Sequence, residues 1–471
     1  MYFRPGRILA LAAVLAAPAV LRAQGFGLNE IGSCAVSRAS ATTGAPCQDA
    51  SVIFWNPAAG TQLPKGVTVY GGVASVGVGG DFTPDFSTTG NSYRPNIPTS
   101  FPPHIFLNWN GAGRMALGIG AYVPYGLTSQ WRPDFPGRFS AQRASIATIY
   151  VQPNISFQLT PGWSIGGGPI FGHSTVQLQQ SLDLSSQVLP NTGGLTFANL
   201  GVAPGTEFGR AILKGSANGY GFHVGVHGKV GNSIQVGARY LSSINFKYDD
   251  ANARFVQLAT NLVVPDASTG AQIGVPAGTP YDYFLAAQFR TGGALVDQKV
   301  STQITHPGQF EAGIGYTAPT GTLVSFDYGY ILWNKFDVLP VNFKGPASAS
   351  SRSLIEDYHN SSSYRFGLEQ KFSRYWDITG RAGFSLTKTP APDETVTPLL
   401  PDMDRRNFAV GAGLPLGPRL TIDAGYLHVD TQGRRGRIIE RTSESQTAAD
   451  LNSGFYRLNA NIFSLSLKAS L

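Results

Sequence analysis

Few residues in this chain have the types and spacing that chemistry requires. His223 and His227 lie four apart on a strand, so they share a face, but they lack the helix and carboxylate a zinc hydrolase needs and read as structural or lumen histidines. Gly166-Gly167-Gly168 is followed neither by Lys-Ser/Thr nor by a helix, so it is not a phosphate loop. Asp249-Asp250 offers two carboxylates in a loop, where a solvated turn competes with a calcium site. The only cysteines, Cys34 and Cys47, fit either a disulfide or two free thiols, and an oxidising compartment favours the bond. No Ser/His/Asp or Cys/His arrangement supports nucleophilic catalysis, so no enzyme, metal site or cofactor is expected. The basic residues are scattered, without a recognition helix or stacking motif, which argues against nucleic acid as a partner.

With so little chemistry on offer, the architecture must carry the function. Charged residues make up 13% of the 471, aromatics 11%, and there are 57 glycines, a balance unlike that of a soluble domain. Past the first two dozen residues no apolar run approaches the ~20 residues a membrane helix needs. Composition fits either a transmembrane β-barrel or a secreted Gly-rich all-β protein. The start of the chain adds export. Arg4 and Arg7 precede a short apolar run over 8–21, broken by Pro18, and Ala23 precedes Gln24. Residues 1–23 are therefore read as a signal peptide, with an uncleaved helix as the alternative. A formal charge of +7 suits contact with outer-membrane lipid and with lipopolysaccharide phosphates, for which the basic group Arg434, Arg435, Arg437 and Arg441 is one candidate.

Residues 24–64 show neither strand alternation nor helical spacing, and hold too little apolar surface for a core of their own. They are expected to form an N-terminal hatch, or plug, in the lumen of a barrel spanning 65–471. Beyond them, period-two alternation recurs between turns. In 322–336, Val324, Phe326, Tyr328 and Tyr330 oppose Ser325, Asp327 and Gly329. Strands are expected to begin near residues 67, 103, 114, 146, 163, 219, 233, 307, 322, 363, 375, 406, 419 and 459. The fold class is thus all-β, a 14-stranded antiparallel transmembrane barrel, with an even strand number as single-chain bacterial barrels have. Tight turns at 110–113, 161–162 and 319–321 would face the periplasm. Long loops over 83–102, 183–218, 249–306, 337–362, 389–405 and 432–458 would face outward. Within 249–306, Phe284–Phe289 fits a short helix at a pore mouth or a loop packing its own aromatics.

In this order along the chain, several short motifs together resemble the FadL/TodX family of outer-membrane transporters. They are Gly25-Phe26-Gly27-Leu28-Asn29-Glu30, Asn56-Pro57-Ala58, Tyr125-Gly126-Leu127, Trp163-Ser164-Ile165-Gly166, Gly219-Tyr220-Gly221-Phe222, Asp327-Tyr328 with Trp333, Arg381-Ala382-Gly383-Phe384, and Leu400-Pro401-Asp402 with Arg405. The resemblance implies fourteen strands around a hatch, and passive uptake of long-chain fatty acids or aromatic and aliphatic hydrocarbons. Two departures weaken the fatty-acid reading. Residues 163–184 contain no Lys or Arg, and Leu339-Pro340 stands where a basic wall residue is expected, leaving Arg138, Arg143, Lys335 and Lys344 as substitutes. The chain also ends in Leu471, where such barrels usually end in an aromatic.

A hydrophobic solute gains nothing from a watery pore, so a sideways exit through the wall is expected. Proline cannot donate to a ladder, and Pro124, with Gly118, Gly120 and Gly126 around it, marks the site of that lateral opening. Asn29, Glu30, Asn56, Pro57 and Ala58 would form the hatch gate, with Glu30, Arg38 and Asp49 seeking lumen partners such as Arg239, Asp327, Asp377 or Arg381. Phe86, Phe101, Trp131, Phe135 and Phe139 would line a ligand intake groove, although an aromatic girdle explains some of them as well. The partner is a hydrophobic small molecule and the protein a monomer of the bacterial outer membrane. The alternatives are a general porin for polar solutes and an outer-membrane lipid hydrolase.

Overall fold

The computed structural model describes residues 25–85, 92–111, 113–189, 192–373, 376–436 and 453–471; the proposed signal peptide lies outside them. Fourteen antiparallel staves close into a barrel. They are β1 (Gly66–Pro84), β2 (Pro103–Asn110), β3 (Met115–Gln130), β4 (Arg143–Gln158), β5 (Trp163–Asp183) and β6 (Glu207–Val230). β7 runs in two pieces, Ile234–Leu241 and Ile244–Gln257, and β8 likewise, Gln298–His306 and Gln309–Thr317. β9 (Leu323–Ile331), β10 (Ser361–Phe372), β11 (Ile378–Thr387), β12 (Arg405–Pro415), β13 (Leu420–Thr431) and β14 (Gly454–Ser470) complete the ring. Closure comes from β14 pairing with β1, Ser470 opposite Thr68 through to Gly454 opposite Pro84. Every described stave therefore has a neighbour on both sides, which removes the exposed edges an open sheet would present.

The alternation has a direct physical cause. On β4, Ile149, Val151, Ile155 and Phe157 point out and stay exposed, while Tyr150, Gln152, Asn154 and Ser156 point in and are buried. Apolar groups face hydrocarbon and polar ones face the lumen, the reverse of a soluble barrel. Several segments expected as loops are instead strand: 207–218, 249–257 and 298–306 carry the sheet well past the membrane. Above the hydrocarbon the outward positions need no apolar residue, so Lys214, Ser216 and Asn218 give no alternation to read. Asp249-Asp250 falls at a register shift inside β7 rather than in a calcium-binding loop. Within the shortened loop, Tyr281–Ala286 is helical and continues as a 3-10 turn, Ala287–Phe289. Tyr281 and Leu285 bury against Leu184, Phe197 and Phe208, so the segment caps the outer end with its own small core.

Residues 31–60 lie inside the cylinder, and all of them except Gln48 are buried. They form two short helices, Ser33–Ser37 and Val52–Trp55, and the 3-10 turn Pro57–Gln62, and a Cys34–Cys47 disulfide ties the first helix to the loop that precedes the second. Wall glycines let the hatch backbone approach closely. A Cβ on Gly166 would lie 2.3 Å from the Pro57 carbonyl oxygen, and one on Gly383 2.3 Å from the Arg38 carbonyl carbon.

Candidate functional site

The hatch is held by polar groups at three levels. Asn56 donates through Nδ2 to the Thr43 carbonyl at 3.0 Å and to the wall carbonyl of Val226 at 3.0 Å, and its Oδ1 accepts the Ala58 amide at 3.2 Å. Asn154 Nδ2 and Ser156 Oγ both donate to the Pro57 carbonyl, at 3.0 and 2.7 Å. Asp327 accepts the amides of Thr43 and Gly44 at 2.5 and 3.1 Å. Beside it Glu311, which sequence reasoning missed, sits between two buried guanidinium groups. It lies 2.9 Å from Arg239 Nη2 and 2.9 Å from Arg365 Nη1, and accepts the Thr43 hydroxyl at 2.9 Å. The only available signal was a lone charge at an inward position of a membrane strand.

The expected charge partners are partly different. Arg38 donates to the carbonyls of Ala41 and Ala45 and to Ser325, and lies 4.0 Å from Glu369. Asp377 is not among the hatch partners; it pairs with Lys371 in the turn after β10, 3.2 Å away. Arg381 bonds Glu369 and Asp423 on the wall. Burial pushes the Glu30 carboxyl above its ordinary range, and Arg405 partly offsets this.

β3 is broken where Pro124 stands. Its ladder with β4 shifts register between Tyr122 and Tyr125, so Val123 and Pro124 together oppose Ile149 alone, a β-bulge. On its other side β3 pairs with β2 only up to Ala121, opposite Ile105. Beyond that point the chain entering β2 stays with β1, Ser100 bridging Val76. The free edge of β3 is taken from inside by the leading segment of the hatch. Leu28 N donates to the Pro124 carbonyl at 2.8 Å, and Gly126 N to the Phe26 carbonyl at 3.1 Å. Gly118 and Gly120, expected at this opening, lie before the bulge in regular register with β4, opposite Asn154 and Gln152. They make room for Ile53 and Phe106, whose atoms a Cβ would meet at 2.7 and 2.4 Å.

A cavity of about 430 Å³ lies in this break. Its outer lining includes Phe101 and Ile149, 62% and 48% exposed, and its inner lining Gly27, Leu28, Glu30 and Arg405. It thus spans from the outward face of the wall to the hatch. A second cavity, about 410 Å³, lies towards the outer end among Phe139, Leu178, Phe208, Phe255 and Leu399, with Arg143 and Arg352 at its border. A constriction of about 20 Å³ stands between them. It shares Leu178 and Leu399 with the outer cavity, and Leu127, Ile146 and Leu400 with the wall cavity. Beside the constriction's Phe336, the Phe26 ring of the hatch packs edge-on against Trp333, Phe336 and His306, with centroids 4.8, 5.3 and 5.6 Å away.

Of the expected intake aromatics, Phe139 borders the outer cavity and Phe101 the wall cavity. Trp131 and Phe135 line neither; they stack at 4.3 Å in a buried cluster with Phe82 and Tyr456. Phe86 lies outside the described residues. Among the candidate cations, Arg138 is engaged by Glu207 and the Gly205 carbonyl, and Lys344 by the Asp249 carbonyl. Arg143 has a buried Nε without a partner, and Arg352 donates to Gln180 at 2.6 Å. Neither of these two arginines makes an ion pair among the described residues. Arg352 gave no signal in sequence because it sits in a long polar loop.

A family profile described as "Outer membrane protein transport protein (OMPP1/FadL/TodX)" matches residues 13–470. The long-chain fatty acid transport protein of Escherichia coli O6:H1 is 23% identical over 86% of both chains. Among solved structures, a Pseudomonas aeruginosa FadL homologue superposes with a TM-score of 0.74 at 21% identity, covering 95% of this chain and all of that one. The toluene transporter TbuX of Ralstonia pickettii gives 0.61 at 17% identity, again over 95% of this chain and all of the other.

Proposed function

The chain belongs to the OMPP1/FadL/TodX family of outer-membrane transport proteins for hydrophobic compounds, and from that premise we propose a route. A solute enters the outer cavity, passes the constriction beside Phe26, and leaves sideways through the break in β3 into the membrane. The observation that carries this reading is the continuity of lining between the two cavities, the second of which reaches the lipid face at Phe101 and Ile149. Energetics favour it. A molecule with ~300 Å² of apolar surface would lose roughly 7 kcal/mol on release into water, at ~25 cal/mol per Å², and little on release into hydrocarbon. The hatch closes the inner end, with Asn56 tying it to β6 and Phe26 held in its aromatic cage. A general porin for polar solutes is less favoured, because the hatch fills the lumen with buried residues.

The substrate reading turns on Arg143 and Arg352. Two cations at the border of a largely apolar cavity, neither neutralised by a carboxylate, match a hydrophobic acid better than a neutral hydrocarbon, even though residues 163–184 lack the basic residue the resemblance implies. The double variant Arg143→Leu/Arg352→Leu is expected to weaken binding of a long-chain fatty acid by about a hundredfold or more, since charge-assisted hydrogen bonds contribute ~1.5–3 kcal/mol each. The matching alcohol and alkane should bind within about twofold of the parent protein, because their apolar burial is unchanged. Equal losses for acid and alcohol in a titration would remove the acid-head reading while leaving the route intact.

A further inference from the structure

Outside the barrel, on the polar wall above the membrane, three neighbouring strands present cations to solvent. Lys214 on β6 stands opposite Asn252 on β7, and Lys299 on β8 stands opposite the same Asn252 from the other side. Arg254, two residues further along β7, points to the same exposed face. These side chains border an open cleft of about 580 Å³ with Ile212, Gln298 and Asp297. Like charges on adjacent strands repel, and a sheet normally places an acid among them. Here, among the described residues, Lys214, Arg254 and Lys299 form no ion pair. Lys299 Nζ donates to the main-chain carbonyl of Asp250 at 3.3 Å; the acid in the cleft, Asp297, accepts the Phe255 amide at 3.0 Å through Oδ1 and keeps its charge, so three cations face one carboxylate in the lining. Close by, Lys344 Nζ donates to the Asp249 carbonyl, and Asp249 and Asp250 sit in the register shift just before Ala251 on β7.

The height of the cleft is set by the aromatic rim beneath it. Tyr220, 72% exposed, pairs with Phe171, and Phe222 with Tyr240, marking the edge of the apolar band on these strands. Lys214 lies six residues beyond Tyr220, about 20 Å along a strand at ~3.3 Å per residue, less once the stave is tilted. At that level the outer leaflet of this kind of membrane carries phosphorylated, acidic sugars. We propose that Lys214, Arg254 and Lys299 form a binding site for the phosphate groups of an outer-leaflet glycolipid, lipopolysaccharide, distinct from the transport route. Of the four arginines first expected to serve, Arg434 and Arg435 pair with Asp393 and Asp85, and Arg437 and Arg441 lie outside the described residues.

The test compares the purified full chain with its Lys214→Gln/Arg254→Gln/Lys299→Gln variant, both checked for native mobility on unheated gels. Binding is measured to rough lipopolysaccharide, to the same glycolipid stripped of phosphate, to phosphatidylglycerol vesicles and to inorganic phosphate. The parent protein is expected to bind the phosphorylated glycolipid, more weakly as salt rises. The variant is expected to lose roughly a hundredfold, as three cations removed from an anionic surface should. Equal binding by parent and variant, indifference to phosphate removal, or equal binding to phosphatidylglycerol would each overturn the proposal. Capture of inorganic phosphate alone would do so too. If the variant does not fold, the salt and dephosphorylation arms on the parent protein decide it.

Discussion

Deletion of Pro124 is expected to lower uptake of a hydrophobic ligand by more than about tenfold while leaving binding to the outer cavity unchanged. The bulge opposes two residues to one, so removing one residue restores an unbroken register from Tyr122–Tyr150 through Tyr125–Thr148. A straightened β3 can then continue its ladder towards the chain entering β2 and fill the wall cavity with backbone. No residue of the outer cavity changes, so the equilibrium for loading it should not move. Uptake assayed in cells, beside ligand binding to the purified barrel, separates the two steps. A deletion variant that folds and transports at the parent rate would remove the lateral exit from the account.

The second large effect is expected at Glu311. This carboxylate lies between Arg239 and Arg365, all three side chains being buried, and also holds Thr43 of the hatch. Replacing it by Ala removes the carboxylate that two buried guanidinium groups share, a loss of about 3–5 kcal/mol. The readout is the denaturant or temperature midpoint at which the barrel loses its compact mobility on gels. Asn56→Ala removes bonds between hatch and wall but buries no unpaired charge. It should therefore lower uptake with a much smaller shift of that midpoint. Equal destabilisation by the two substitutions would deny Glu311 its special place.

Much of this architecture was legible because a membrane imposes a strict pattern. Val324, Phe326, Tyr328 and Tyr330 had to face lipid, and their alternation with Ser325, Asp327 and Gly329 followed. Residues 31–60 stood out in the sequence by lacking any period, and the register shift at Pro124 by a residue that cannot donate to a ladder. The extracellular continuations of β6, β7 and β8 were hidden because, above the hydrocarbon, Lys214 or Asn252 serves the outward face as well as Leu does. Trp131 and Phe135 were assigned to a ligand groove because an aromatic in a loop carries no mark of which way it packs; here they pack on Phe82. The arginines proposed to hold an acid head lie about two hundred residues apart in sequence, and only the fold brings Arg143 and Arg352 to one cavity.

The lateral route can be tested without altering the protein. A hydrophobic acid carrying a photoreactive diazirine at its tail would be loaded in the outer membrane, activated during uptake, and its attachment sites read by peptide mass spectrometry. Attachment at Phe101, Val123 and Ile149, on the lining of the wall cavity, is the predicted result. Label confined to the hatch interior and to the turns joining β4 to β5 and β6 to β7, with none at the break in β3, would contradict it.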